Sequence, residues 1–270
     1  SKNVKKLKKD TTSEFFGALG YLASIDLIKK EIGEINHFLK PKFLVKYSPN
    51  HMRKETNEHK LQEKDIFSLD RLNTATNFES GTSLTYGVDY ERLGDSKLNF
   101  SIGQIINEKK NNRNMPDSSS LDKRFSDVVG SLNFTDKKNF KIDYNFSLDQ
   151  NLKETNFNEV STSYTLNNIK FNLNYLEEDD SKDKKEYFKS SIEIKNGNNG
   201  LFSFNNKRNI VTNSSEYYNL SYEYINDCLR AGLVYRREFY QDSELEPENS
   251  LLFKITLVPF GSLSTPQISQ

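Results

Sequence analysis

Three histidines, His37, His51 and His59, and a single cysteine, Cys228, are the side chains best suited to metal or nucleophilic chemistry. A metal site needs ligands at fixed spacing, and neither C-x-x-C nor H-E-x-x-H accompanies these histidines. No G-x-S-x-G, phosphate-binding loop or dinucleotide fingerprint is present. Acid–base work needs positioned carboxylates. Asp143, Glu193 and Glu223 qualify by type, but each stands in an alternating segment on the side away from the apolar residues, as do Asn172, Arg230 and Arg236. That placement reads as the lining of a wet interior, with Asp143, Asn172, Glu193, Glu223, Arg230 and Arg236 lumen-facing. A hydrolase would require a His–Ser or Asp–His cluster at one rim. The expectation is therefore no enzyme, no cofactor and no metal site.

The elements that position these residues are strands. Tyr218, Leu220, Tyr222 and Tyr224 alternate with Asn219, Ser221 and Glu223, and Phe140, Ile142, Tyr144, Phe146 and Leu148 alternate with Lys141, Asp143, Asn145 and Ser147. Successive side chains of a strand point to opposite faces, so each segment has one apolar and one polar side. The pattern predicts a weak strand at 19–28, then strands at 37–47, 82–91, 97–106, 127–135, 139–149, 156–166, 168–176, 186–195, 200–208, 217–225, 229–239 and 250–258. Most have the roughly 9–11 residues that a tilted strand needs to cross a bilayer. Strands of soluble sandwiches are nearer five or six residues.

Composition agrees. Hydrophobic content is 34% and mean hydropathy is -0.77, yet aromatics reach 12%, with 19 Phe and 14 Tyr. A disordered chain has few aromatics, so these values fit a thin apolar skin around a wet interior. Lys+Arg and Asp+Glu balance at 38 each, which argues against nucleic acid as a partner. No apolar run is long enough for a transmembrane helix. The basic start, Ser1 to Lys9, lacks the apolar core of an export signal. An outer-membrane strand protein is thus expected here as a mature form or a C-terminal piece.

Connection lengths alternate. Short links at 92–96, 136–138, 167, 196–199 and 226–228 face longer ones at 48–81, 107–126, 150–155, 177–185, 209–216 and 240–249. Short turns at one rim and long loops at the other describe an outer-membrane barrel with its turns in the periplasm. The links 48–81 and 107–126 exceed ordinary loop lengths and are expected to be functional or mobile. The charged run Arg53–Lys64 reads as a solvated loop with a helical turn. Cys228 falls in a short turn on the periplasmic side, where an oxidising compartment favours pairing of a lone cysteine with another domain or chain.

Several stretches resemble the LptD family, the lipopolysaccharide-assembly proteins of the Gram-negative outer membrane. His37-Phe38-Leu39-Lys40-Pro41-Lys42 leading to Tyr47-Ser48-Pro49 is similar to a family strand, with Lys40 where an acid is usual. Ser68-Leu69-Asp70-Arg71-Leu72, followed by Gly81 and Leu84-Thr85-Tyr86-Gly87, is similar to its "DR" segment. Phe100-Ser101-Ile102-Gly103-Gln104 resembles its S-x-G-Q strand, and 121–130 with Ser126-Asp127 also matches. Cys228-Leu229-Arg230 to Arg236 and then Leu252 to Gly261 resemble its cysteine-bearing hairpin and closing strand. Many members have two adjacent cysteines there; this chain has Asp227-Cys228.

The resemblance implies an all-β fold, an antiparallel transmembrane β-barrel of which this chain is the C-terminal half, with about 12–14 strands. It divides the chain into an early strand and connections at 1–36, the half-barrel at 37–262 and a periplasmic tail at 263–270. It implies an outer-membrane lipopolysaccharide translocon subunit, located in the Gram-negative cell outer membrane, that assembles LPS into the outer leaflet through the barrel lumen and a lateral seam. Leu251, Phe253, Ile255 and Leu257 then belong to the closing seam strand, with Pro259 just beyond it, and Cys228 to an interdomain disulfide. The implied partners are LPS, outer-membrane lipid, an LptE-like plug lipoprotein and an LptA-like periplasmic bridge reached through an N-terminal domain. The alternative is a general porin or uptake barrel, which would conduct ions on its own.

Overall fold

The computed structural model describes residues 17–30, 36–51, 59–72, 79–110, 115–137, 139–179, 184–239, 248–257, 261–264 and 268–269. The basic run Lys2–Lys9, Pro259 and residues 53–58 of Arg53–Lys64 lie outside them. Two short strands, β1 (Leu19–Ser24) and β2 (Leu27–Lys30), both pair antiparallel with β3 (Asn36–Ser48). They share one register and are a single strand interrupted opposite Lys40 and Pro41. Ile25 N–H donates to the Pro41 carbonyl at 3.2 Å. Proline has no N–H to return the second bond of that pair, so the ladder breaks there.

The meander continues through β4 (Gly81–Leu93), β5 (Ser96–Asn107), β6 (Val128–Asp136), β7 (Phe140–Leu148), β8 (Thr155–Leu166) and β9 (Ile169–Asp179). It runs on through β10 (Lys184–Asn196), β11 (Gly200–Asn209), β12 (Ser214–Ile225), β13 (Leu229–Glu238) and β14 (Glu248–Leu257). Each strand pairs antiparallel with its neighbours in sequence, and all lie in one sheet. Left-handed residues occupy the turns where that chemistry is needed: Asn139 (φ 82°), Asn167 (φ 52°), Gly197 (φ 64°) and Asn213 (φ 52°). Asp149 caps the β7–β8 turn, accepting from Lys153 N–H at 2.6 Å and Glu154 N–H at 3.1 Å, and these bonds hold its carboxyl below the usual range.

The register gives the sheet two continuous faces. The Leu84, Phe140, Tyr144, Leu173, Leu220, Leu233 and Phe253 side holds the apolar residues, and the opposite side holds Ser83, Asp143, Asn172, Ser221 and Lys254. The apolar side is not packed away: Leu173 is 47% exposed, Leu233 46% and Phe253 44%. No described helix is long and apolar enough to cross a membrane, which says nothing about crossing with strands. The strands β3–β14 have 9–13 residues, enough to span a bilayer when tilted. The fold is therefore the antiparallel barrel class, as a length of wall: among the described residues no pairing joins β1 to β14, so the sheet is not closed.

The structure refines four expectations. The links 177–185 and 209–216 are partly strand: β9 runs to Asp179, β10 starts at Lys184 and β12 starts at Ser214, further than the alternation shows. The helical turn near Arg53–Lys64 falls at Glu63–Asp65, a 3-10 turn with Asp65 buried. The described parts of 48–81 and 107–126, expected to be functional or mobile, are docked on the sheet and enclose a small apolar core. In the segment expected to form a periplasmic tail from 263, the end of β15 (Gly261–Ser264) and β16 (Ile268–Ser269) pair with β14.

Candidate functional site

The polar face has two regions of different character. Over β3–β6 the two long links fold back onto it. Leu61, Ile66, Leu72, Met115 and Leu121 from the links pack with Ile105 and Val129 of the sheet, and Phe67 lies against the cluster. Two glycines make the seat. Gly87 and Gly103 face each other across β4 and β5. A Cβ on Gly103 would come within 2.5 Å of Ile66 Cδ1, and one on Gly87 within 2.5 Å of the Ile102 carbonyl and 3.0 Å of the Phe67 ring. A strand glycine here marks close approach of another segment.

Arg71 fastens the seat. Its guanidinium is fully buried and donates to the Glu79 carboxylate, to Ser83 Oγ at 3.1 Å, to Thr85 Oγ1 at 2.6 Å and to the Ile66 carbonyl at 3.1 Å. Burial lowers it to about 9, still charged at neutral pH. Lys46 Nζ lies 3.7 Å from the same Glu79 carboxylate. The second link is held through Ser126, whose Oγ accepts from Ile105 N–H at 3.0 Å and whose carbonyl accepts from Gln104 Nε2 at 2.9 Å. Asp127 then takes Ser147 Oγ at 3.2 Å and Asn156 Nδ2 at 2.7 Å.

Glu63 sits at the deeper edge of the docked link, accepting from Ser131 Oγ at 3.4 Å beside the Lys42–Asp89 pair. Burial, only partly opposed by Lys42, raises its pKa above the ordinary 4.5. A carboxyl with a raised folded value gives its full stabilisation below the unfolded value and loses it as pH rises through the folded one. Docking of 59–72 is therefore expected to tighten on acidification from neutral pH. Hydrogen exchange of that segment should slow in mildly acidic buffer after correction for intrinsic rate, and Glu63→Gln should abolish the difference; an unchanged pH response in Glu63→Gln would refute this.

Over β7–β14 the polar face carries rows of amides and hydroxyls. Asn174 Nδ2 donates to Ser161 Oγ at 2.7 Å and Glu159 Oε1 at 3.3 Å, Asn172 Nδ2 to Ser191 Oγ at 2.9 Å, and Ser203 and Ser221 hydroxyls meet at 2.6 Å. All six residues expected to line a lumen share this face. Asp143 pairs with Lys141 at 2.7 Å, Arg230 grips Glu223 through two nitrogens at 2.9 and 3.2 Å, and Arg236 meets Glu238 at 2.5 Å and lies over the Tyr217 ring at 4.9 Å. Glu193 stands opposite Ser203 and Lys170.

The histidines are dispersed. His37 Nδ1 meets the Tyr90 hydroxyl at 2.8 Å, His59 lies 3.8 Å from Asp65, and His51 is buried elsewhere. No metal-binding group of His, Cys, Asp and Glu forms among the described residues. Cys228 is exposed in the β12–β13 turn, where Asn226 Oδ1 accepts from the Cys228 and Leu229 N–H groups. Leu251, Phe253, Ile255 and Leu257 lie on the apolar side of β14, whose outer edge carries β15 and β16. Sequence reasoning quoted Arg71, Gly87, Gly103 and Ser126 only as motifs of a resemblance, without a role, and it passed over Glu79. Paired glycines inside two strands were the available signal.

A single antiparallel sheet, apolar on one side and hydrogen-bonding on the other, with links folded against the polar side, defines the wall of a membrane-spanning β-barrel. The family model for LptD, described as LPS transport system D, matches residues 26–227, and the chain belongs to that family of lipopolysaccharide transport and outer-membrane biogenesis. No curated protein matches the chain.

Proposed function

We propose that this chain forms barrel wall in an outer-membrane lipopolysaccharide translocon, passing the glycan along the polar face and releasing the acyl chains through a lateral seam into the outer leaflet. One observation carries the reading: among the described residues the apolar cluster of the links rests on β5 and β6, while the amides and hydroxyls of β8–β12 form hydrogen-bonded rows along the polar side. Hydroxyls and amides already satisfied in the wall exchange readily with sugar hydroxyls, whereas acyl chains gain nothing there. The partners proposed are LPS, an LptE-like plug lipoprotein and an LptA-like bridge, and the place is the outer membrane.

Photocrosslinking tests the assignment. Groups at Asp143 or Asn172 should capture glycan or plug lipoprotein, and groups at Ile142 or Phe171 should capture membrane lipid; the reverse pattern would overturn it. Cys228, exposed at the short-turn rim, is proposed as one half of a bond to another domain or chain. Non-reducing electrophoresis of the native protein should show a species lost in Cys228→Ser, and identical migration of the two would dismiss the bond.

A further inference from the structure

The apolar side of β11–β13 ends, at the long-link rim, in two guanidinium groups that no carboxylate among the described residues neutralises. Arg208 stands opposite Phe188 and Ser215, and Arg237 opposite Tyr218, positions on the same side as Phe204, Leu220 and Leu233. Both arginines are exposed. Their partners are neutral: Arg208 Nη2 donates to Asn213 Oδ1 at 2.5 Å, and the Arg237 guanidinium lies 5.1 Å from the Phe239 ring. On the polar side of the same sheet, Arg230 and Arg236 each bind a glutamate. The acids nearby in the ladder are engaged, Glu186 by the Tyr175 hydroxyl at 2.8 Å and Glu216 by Lys207 at 2.5 Å.

An aromatic and hydroxyl base lies between the two charges. The Tyr218 ring stacks on Phe204 at 6.3 Å and meets Phe239 edge-on at 5.6 Å, and its hydroxyl is 2.8 Å from Ser215 Oγ. Lys207 pairs with Tyr217 but Arg208 with Ser215, so Glu216 is an extra residue and a bulge bends the start of β12. The strand spacing sets the two arginine-bearing strands roughly 10 Å apart. Below the patch, past Asn206 and Ser190, the same side carries Phe204, Leu220, Leu233 and Tyr235, the last three each 40% exposed or more. The fixed fork of a guanidinium suits phosphate oxygens, and hydroxyls add further donors.

We infer that this patch is a binding site for the phosphate-bearing headgroup of a lipid in the leaflet at the long-link rim, its acyl chains lying on the apolar strands below. The inference rests on the membrane-spanning reading above. Charge complementarity selects an anionic headgroup, and the apolar surface beneath selects a lipid over a free anion.

The test is association of spin-labelled phosphatidylglycerol and phosphatidylcholine with the full-length protein in vesicles. The wild type should retain phosphatidylglycerol roughly tenfold better, and Arg208→Ala/Arg237→Ala should lose that preference, since each surface cation contributes measurably to anionic-lipid attraction. Lys189→Ala, on the polar side, should keep it, and Arg208→Lys/Arg237→Lys should recover part of it. Equal retention of the two lipids by a wild type that has inserted, or a preference intact in the double alanine variant, overturns the inference alone. Failure of the wild type to enter vesicles overturns the membrane-spanning reading together with it.

Discussion

Arg71→Ala is expected to release the docked link from the sheet. The guanidinium satisfies four acceptors at once, Glu79, Ser83, Thr85 and the Ile66 carbonyl, from a position with no solvent contact. Its removal leaves the Glu79 carboxylate buried, with the equally buried Lys46 amine 3.7 Å away. Breaking a buried pair on one side destabilises by about 3–5 kcal/mol, because the surviving charge has lost its compensation. Arg71→Lys should recover little, since an ammonium cannot present a planar fork to four acceptors. The double variant Arg71→Met/Glu79→Leu should be far less damaging than Arg71→Ala, because it removes both charges together. Hydrogen exchange checks all three: protection should vanish across 59–72 in Arg71→Ala and persist in β8–β13. Equal protection of 59–72 in Arg71→Ala and wild type would show that the apolar cluster alone holds the link.

That seat also shows where sequence reasoning stops. Strand positions are legible because alternation is a local property: Phe140 to Leu148 announces β7 without reference to any other segment. The two sides of the wall follow at once, since register in a sheet carries the alternation from strand to strand. The seat is not local. Leu61, Ile66, Leu72, Met115 and Leu121 stand in polar links at no helical or strand period, and their partners Ile105 and Val129 are distant in the chain. Composition suggested that the interior was wet throughout, and it cannot register a dry core this small. The Asp70-Arg71, Gly103-Gln104 and Ser126-Asp127 motifs carried the family resemblance, yet their role as anchors emerges only when the links are folded back. The ends of β9, β10 and β12 were misread for a related reason. Glu177, Lys185 and Glu216 are charged, and charge near a rim looks like loop until cross-strand partners appear, as Lys184 does for Glu177 at 3.0 Å and Lys207 for Glu216 at 2.5 Å. β15 and β16 are too short for any period to show, and they exist only against β14.

A single arginine on either side of one strand should separate the two faces of the wall. Leu173 and Asn172 are neighbours in β9, midway between the rims, and point to opposite sides. Leu173 is 47% exposed on the apolar side, with Thr162 and Ser190 across from it. In a bilayer its surroundings are acyl chains, and arginine near the midplane of a barrel's lipid side costs about 2–4 kcal/mol. Asn172→Arg forfeits one hydrogen bond to Ser191 Oγ at 2.9 Å, worth about 1 kcal/mol, and places the new charge where water and Glu193 or Glu159 can meet it. Denaturant unfolding of the lipid-reconstituted protein should therefore show a large loss for Leu173→Arg and a small one for Asn172→Arg. In water alone the ordering would reverse, because an exposed leucine exchanged for arginine is nearly neutral while the amide bond is still lost. The comparison thus reads which solvent each face meets, independently of any transport assay, and equal losses in lipid for the two variants would remove the membrane from the account.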